Sequence, residues 1–221
     1  MNKSFGTQMV GLLKAAHFGP TVLVVTISFF ISLVKFSAIS SAQIALAILA
    51  GQLIVGWSND LIDFPLDLAA DRVKKPLVSG EINKSLVVSA IRIDVGAALA
   101  LSYFSPLGLR GTVIHALGVL SATAYNLRLK ATIWSPIPYA LSFGALPWAI
   151  YLAAHSTPPI WLYLDFIFVS VAFHFLNVIK DLAWDIDQGV LGLPQRIGRS
   201  ASITMALILL ALAVSSTLVL R

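Results

Sequence analysis

Four aspartates stand within the thirteen residues NDLIDFPLDLAAD, positions 59 to 71: Asp60, Asp63, Asp67 and Asp71. The chain of 221 residues holds only ten acidic residues, and eight of them fall in two segments. Asp60, Asp63, Asp67, Asp71 and Glu81 make up the first, and Asp181, Asp185 and Asp187 the second. Aligned by hand, Asn59, Asp63, Asp67 and Asn177, Asp181, Asp185 both read N-x3-D-x3-D, 118 positions apart. On a helix, positions i and i+4 are neighbours, so each trio is expected to form a stripe along one face. Asp60 and Asp71 flank the first stripe, and Asp187 leaves the second. Carboxylates about 6 Å apart repel by roughly 3 kcal/mol at an effective dielectric of about 20, which frays a helix that has nothing to offset it. Divalent cations reverse that sign. Hard carboxylate and amide oxygens on two opposed stripes suit Mg²⁺, which takes few protein ligands and keeps positions open for phosphate oxygens. Ordinary polar loops at a membrane edge are the plainer reading, but they explain neither the doubled spacing nor the scarcity of carboxylates elsewhere. Pro65, inside the first stripe, is expected to kink it or to begin a short second helix.

Basic residues follow each stripe. DRVKKPLVSGEI, positions 71 to 82, brings Arg72, Lys74 and Lys75; QGVLGLPQRIGRS, positions 188 to 200, brings Arg196 and Arg199; AYNLRLKAT, positions 124 to 132, brings Tyr125, Arg128 and Lys130. Metal ions together with several cationic side chains are the equipment for a diphosphate, whose oxygens the cations bridge and whose remaining charge Arg and Lys neutralise. A diphosphate site at the mouth of a greasy protein points to a substrate whose other end is hydrocarbon, such as an isoprenyl diphosphate. Ionisation of that substrate leaves an allylic carbocation, which a dry apolar cavity must keep from water until an acceptor attacks.

The elements that must position these residues are membrane spans. Hydrophobic residues make up 58% of the chain and charged residues 11%, and the mean hydropathy is +0.89. Such a composition describes a membrane protein, not a soluble globule. Seven apolar runs each approach the roughly 20 residues that cross a bilayer: 19 to 38, 41 to 58, 85 to 104, 109 to 127, 133 to 153, 160 to 178 and 200 to 220. Pro136, Pro138 and Pro147 fall in the fifth, where neighbouring helices are expected to satisfy the freed backbone groups. The first run follows a polar lead and continues into a second span, so it reads as a retained helix, not a cleaved signal peptide. The chain has no cysteine, which excludes disulfides and thiolate chemistry.

The net charge of +5 resembles a nucleic-acid signal until the basic residues are placed. Lys3, Lys14, Arg72, Lys74, Lys75, Lys84, Arg128, Lys130, Lys180, Arg196 and Arg199 all fall on one side of the spans. Lys35, Arg110 and Arg221 fall on the other, and Arg92 lies inside the third span. The asymmetry orients the N-terminus and the Asp-rich segments to the cytoplasm of a plasma or inner membrane, with no nucleic-acid partner.

NDLIDFPLDLAADRVKKPLVSG and NVIKDLAWDIDQGVLGLPQRIG resemble the two Asp-rich signatures of the UbiA superfamily of intramembrane prenyltransferases. LLKAAHFGPT (12 to 21) and YNLRLKATIWSPIPYALSFGALP (125 to 147) extend the likeness over nearly the whole chain. The resemblance implies a single all-α domain, residues 1 to 221: a polytopic helical bundle around a central lipid-open cavity. Eight or nine spans are usual for the family, where about seven are read here. It further implies Mg²⁺ dependence and transfer of a polyprenyl group to a lipophilic acceptor, often an aromatic ring in quinone or related lipid biosynthesis, among membrane lipids. By the same resemblance Asn59, Asp63, Asp67, Asp181 and Asp185 carry metal, the four aspartates being the catalytic set. Arg72, Lys75 and Lys130 contact diphosphate with Tyr125 beside it, and Asp60, Arg128 and Asn177 complete the substrate-binding group. The family's Tyr and Lys are typically four apart; here Tyr125 and Lys130 are five apart, with Arg128 between.

Other residues have plainer readings. His17, His115, His155 and His174 share no metal spacing, and His17 and His174 read first as hydrogen-bonded packing residues. Asp165 and the aromatics Trp57, Trp148, Tyr151, Trp161 and Tyr163 read as interfacial. Arg92 and Asp94 are ionisable residues within a span, which by default suggests function. A divalent-cation transporter is the competing function and needs carboxylates along a mid-membrane path; a degenerate, non-catalytic relative is another. A membrane phosphatidyltransferase needs a compact DGxxAR-type string, absent here.

Overall fold

The computed structural model describes residues 3–221, and every regular element among them is helical. The all-α expectation therefore holds. Two compact units divide the chain, the first through Thr112 and the second from Val113. The first contains α1 (Phe5–Ala15), α2 (Phe18–Ser32), α3 (Ala38–Ala69) and α4 (Lys84–Phe104). Helix α5 (Gly108–Leu127) runs across the division. The second unit continues with a short 3-10 turn (Leu129–Ala131), α6 (Pro136–Ala153), α7 (Ile160–Ile179), α8 (Leu182–Asp187) and α9 (Leu193–Leu220).

Seven of these helices overlie the seven expected spans. By length and hydropathy α3, α4, α7 and α9 each qualify as membrane-crossing alone, and α1 with α2, bent by 67°, qualify as a pair. Helix α2 has only 15 residues, short of the roughly 20 a bilayer needs. Polar and weakly apolar residues dilute the runs of α5 (Arg110, Thr112, His115) and α6 (Pro136, Pro138, Pro147). The chain is an integral membrane protein.

Helix α3 is the spine of the first unit. Its N-terminus is capped by the Ser37 side chain, which accepts from the Ser40 N–H. Its 32 residues rise about 48 Å, more than the roughly 30 Å of a hydrocarbon core, so the turns bearing the Asp motif extend beyond an apolar span. Pro65 neither breaks α3 nor starts a new helix; the element is continuous to Ala69. The proline removes only its own N–H from the ladder. The helix ends where Asp71 enters the left-handed region at φ 49°, a conformation that Asp tolerates better than most residues.

The α1–α2 bend is clamped onto α3. Trp57 Nε1 donates to the Leu12 carbonyl at 2.9 Å, so Trp57 is a buried anchor and not the interfacial residue its position suggested. Tyr151 is likewise buried. Around Trp57, Leu12, Ala15, Ala16, Leu77, Ile82 and Val87 form one apolar cluster. Gly56 permits the approach: a Cβ there would lie 2.7–2.9 Å from the Ala16 backbone. Gly56→Ala is therefore expected to destabilise the protein by about 1–3 kcal/mol, the usual cost of overpacking. Denaturant unfolding in detergent micelles checks this, and an unchanged midpoint would show that the bend can yield.

In the second unit α7 packs along α9 around Ala172, Phe175 and Ala206. Asp165 is tied to α9. It accepts hydrogen bonds from Ser216 Oγ and, at 2.5 Å, from Thr217 Oγ1, because hydroxyls on α9 offer a carboxylate within a span the donors that lipid lacks. Gly198, at φ 80°, interrupts α9 and separates its first turn from the long apolar part; that left-handed conformation is open to glycine.

Candidate functional site

In the first unit Asn59, Asp63 and Asp67 lie on three successive turns of α3, as the spacing of four predicts. Asn59 Nδ2 donates to Asp63 Oδ2 at 3.0 Å. Asp67 is 3% exposed and Asp63 half-buried. The chain then turns back: the Arg72 N–H bonds to the Asp67 carbonyl at 3.0 Å, and the Ser79 N–H to the Lys75 carbonyl at 2.9 Å. That return delivers two cations to the stripe. Arg72 lies 3.3 Å from Asp67 Oδ1, and Lys75 Nζ lies 2.5 Å from Asp60 Oδ1 and 4.0 Å from Asp67 Oδ2.

Asp60 is the best-compensated carboxylate here. It is 3% exposed and also accepts from His17 Nε2 at 3.0 Å; since a carboxylate only accepts, that ring nitrogen carries the proton. His17 caps α2 in the left-handed conformation, φ 52° and ψ 60°, held there by the clamped bend. Sequence reasoning treated His17 as a packing residue and missed this contact, since nothing in the local spacing ties position 17 to position 60.

In the second unit the expected stripe is interrupted. Helix α7 ends at Ile179, so Asn177 belongs to α7, while Asp181 caps α8 and Asp185 lies inside it. The N-x3-D-x3-D repeat thus corrects to one asparagine before a break and two aspartates one turn apart after it; the Asp185 N–H bonds to the Asp181 carbonyl at 2.8 Å. The break falls at Lys180 and Asp181, and the Asp181 side chain makes no cap hydrogen bond there. Gln195 Nε2 donates to Asp185 Oδ2 at 2.7 Å. Gln195 was not singled out from sequence, although it lies within the motif segment.

The segment of Tyr125, Arg128 and Lys130 closes the end of α5. Tyr125 and Tyr139 meet edge to face at 5.2 Å, and the His174 ring lies 5.7 and 4.7 Å from them respectively. His174 Nε2 pairs with Ser135 Oγ at 3.1 Å, and that oxygen accepts from the Leu193 N–H at 3.0 Å. His174 is thus a buried, hydrogen-bonded packing residue, as expected of polar groups in a bundle. Arg128 begins the 3-10 turn and is exposed, and Lys130 is half-buried within it.

The donor chemistry fits a hard divalent ion. Every candidate ligand offers oxygen and none sulfur, and Mg²⁺ is satisfied by one or two carboxylates when phosphates and waters supply the rest. Among the described residues no three His, Asp or Glu side chains form a ready cage.

A model of the UbiA prenyltransferase family matches residues 10–221, through both Asp motifs. The chain belongs to that family. A curated relative, the bacteriochlorophyll synthase 33 kDa chain of Cereibacter sphaeroides, is 30% identical over 184 residues, covering 75% of this chain. This UbiA-family chain spans 58% of that relative's length. Among solved structures, a UbiA homologue from Archaeoglobus fulgidus bound to Cd²⁺ superposes with a TM-score of 0.74 at 17% identity, over 93% of this chain and 76% of that one. The all-helical UbiA fold is thereby shown.

Proposed function

We propose that the protein is a Mg²⁺-dependent prenyltransferase that moves a polyprenyl group from an isoprenyl diphosphate to a lipophilic, aromatic acceptor, in quinone or related lipid biosynthesis. The observation that carries this reading is the juxtaposition at the end of α3 of the Asp stripe with Arg72 and Lys75. Anion-binding cations and metal-binding oxygens share one place, as a metal diphosphate requires. The family assignment and the similarity to a bacteriochlorophyll synthase support the reaction class, and a homologue bound to Cd²⁺ supports a divalent ion.

In this reading Asn59, Asp63 and Asp67 hold metal from the first motif, and Asp181 and Asp185 from the second, with Asn177 beside them. A divalent ion held by these residues would supply positive charge to the diphosphate leaving group. Arg72, Lys75, Arg128 and Lys130 neutralise the remaining charge; Asp60 and His17 hold Lys75 in place, and Tyr125 borders the diphosphate. The apolar helices exclude water from the allylic cation until the acceptor attacks. The N-terminus and both motifs face the cytoplasm, following the distribution of Lys and Arg.

Purified protein incubated with radiolabelled isoprenyl diphosphates, Mg²⁺ and a panel of aromatic acceptors is expected to yield prenylated lipid, and EDTA is expected to abolish it. Absence of diphosphate binding across that panel would overturn the proposal. Diphosphate-independent Mn²⁺ uptake into proteoliposomes would then favour the transporter, and absence of both would favour a non-catalytic relative.

A further inference from the structure

Helix α8 is short and has no residue classed as fully buried, yet it carries two of the proposed metal ligands. Its placement therefore depends on contacts from outside it, and Gln195 supplies one. Gln195 is 8% exposed, an uncommon location for a glutamine unless it is paired. Its Nε2 faces the Asp185 carboxylate at 2.7 Å; the reverse amide orientation would set two acceptors against each other. The other end of the amide, Oε1, is buried without a hydrogen-bond partner. The amide is held with its N–H on Asp185 and its oxygen turned into the protein.

The surroundings keep the amide in that orientation. Leu193, two residues before Gln195, is tied through its N–H to Ser135 Oγ, which pairs with buried His174. Gly198, at φ 80°, separates this turn from the membrane part of α9. Gly192 leaves room for the amide: a Cβ there would lie 2.7 Å from Gln195 Oε1 and 2.5 Å from the Lys130 carbonyl. The backbone at Gly192, φ −68° and ψ 176°, is one any residue adopts, so the glycine is required by the close approach and not by conformation.

We propose that Gln195 is a positioning residue for the second Asp motif: its buried amide fixes the Asp185 carboxylate in the orientation that receives the divalent ion, and the Ser135–His174 pair and Gly192 keep it there. This rests on Asp185 holding metal, as proposed above. Hydrogen-bond partners behind metal ligands typically contribute about 10–100-fold in metal affinity.

The test is Mn²⁺ titration of the full chain in detergent, by calorimetry and by the Mn²⁺ electron paramagnetic resonance signal, with inorganic pyrophosphate present. Gln195→Met is expected to weaken Mn²⁺ binding by about 10-fold or more. Adding Gln195→Met to Asp185→Asn should change affinity less than about 2-fold, because a partner that acts through Asp185 has nothing left to orient. A purely structural role would instead give the same loss in both backgrounds. Wild-type Mn²⁺ affinity in Gln195→Met, or an equal loss beside Asp185→Asn, would overturn the inference alone. Wild-type affinity in Asp185→Asn would overturn the metal-binding reading of Asp185 and the inference with it.

Discussion

Asp63→Ala and Asp181→Ala, made separately, are each expected to lower prenyl transfer by about 10²–10³-fold, the scale on which removal of one preorganised electrostatic partner acts. Each replacement deletes a hard oxygen donor from a different motif, and a site that takes few protein ligands has none to spare. Asp63 lies on a continuous helix with Asn59 as its hydrogen-bond partner, and Asp181 sits at an N-cap where its side chain makes no cap hydrogen bond. Neither side chain is fully buried, and both variants should retain their helical content. Single-turnover transfer from a radiolabelled isoprenyl diphosphate measures the effect. Full activity in either variant would show that its motif does not serve the reaction.

Lys75→Met should produce the largest stability loss among substitutions near the site, about 2–4 kcal/mol, because it strands a buried carboxylate. Asp60 is 3% exposed, and Lys75 Nζ lies 2.5 Å away with its side chain 25% exposed. His17 remains as a partner for Asp60, which keeps the cost below that of an isolated buried charge. The sign of the double variant is the sharper test. Asp60→Asn with Lys75→Met should be more stable than Lys75→Met alone, since removing both charges abolishes the uncompensated one. Denaturant unfolding in micelles, read by tryptophan fluorescence, compares the three; an additive double variant would mean that the two groups do not act as a pair.

The clamp and the ion pairs belong to one device. The Gly56–Ala16 approach and the Trp57–Leu12 hydrogen bond fix the α1–α2 bend, and the bend presents His17 to Asp60. The turn after α3 presents Lys75 to the same oxygen. A carboxylate gripped from both sides is held in one orientation, which is the preorganisation the proposed metal site would need.

Much of this was legible from spacing. A repeat of four on an apolar chain placed Asn59, Asp63 and Asp67 on one face of α3, where the structure has them. The same rule failed for the second trio because it assumes an uninterrupted helix, and α7 ends at Ile179, before either aspartate of that trio. Trp57 was misplaced, and the partners of Asp165 missed, for a related reason. A tryptophan or an aspartate near a span end reads as interfacial unless a distant residue claims it, and Leu12, Ser216 and Thr217 do so.

Apolar run lengths, the scarcity and grouping of carboxylates, and the one-sided distribution of Lys and Arg by themselves determined that this protein is helical, resides in a membrane and gathers acid and base at a few segments. Those properties depend on each residue's own solvation and on neighbours within one or two turns. Only the tertiary structure decided that Lys75 and His17 share Asp60, and that a glutamine ten positions on holds Asp185. Such pairings depend on where the backbone bends and returns, and those paths are set by excluded volume at contacts such as Gly56 against Ala16 and Gly192 against Gln195, which close packing imposes across the fold.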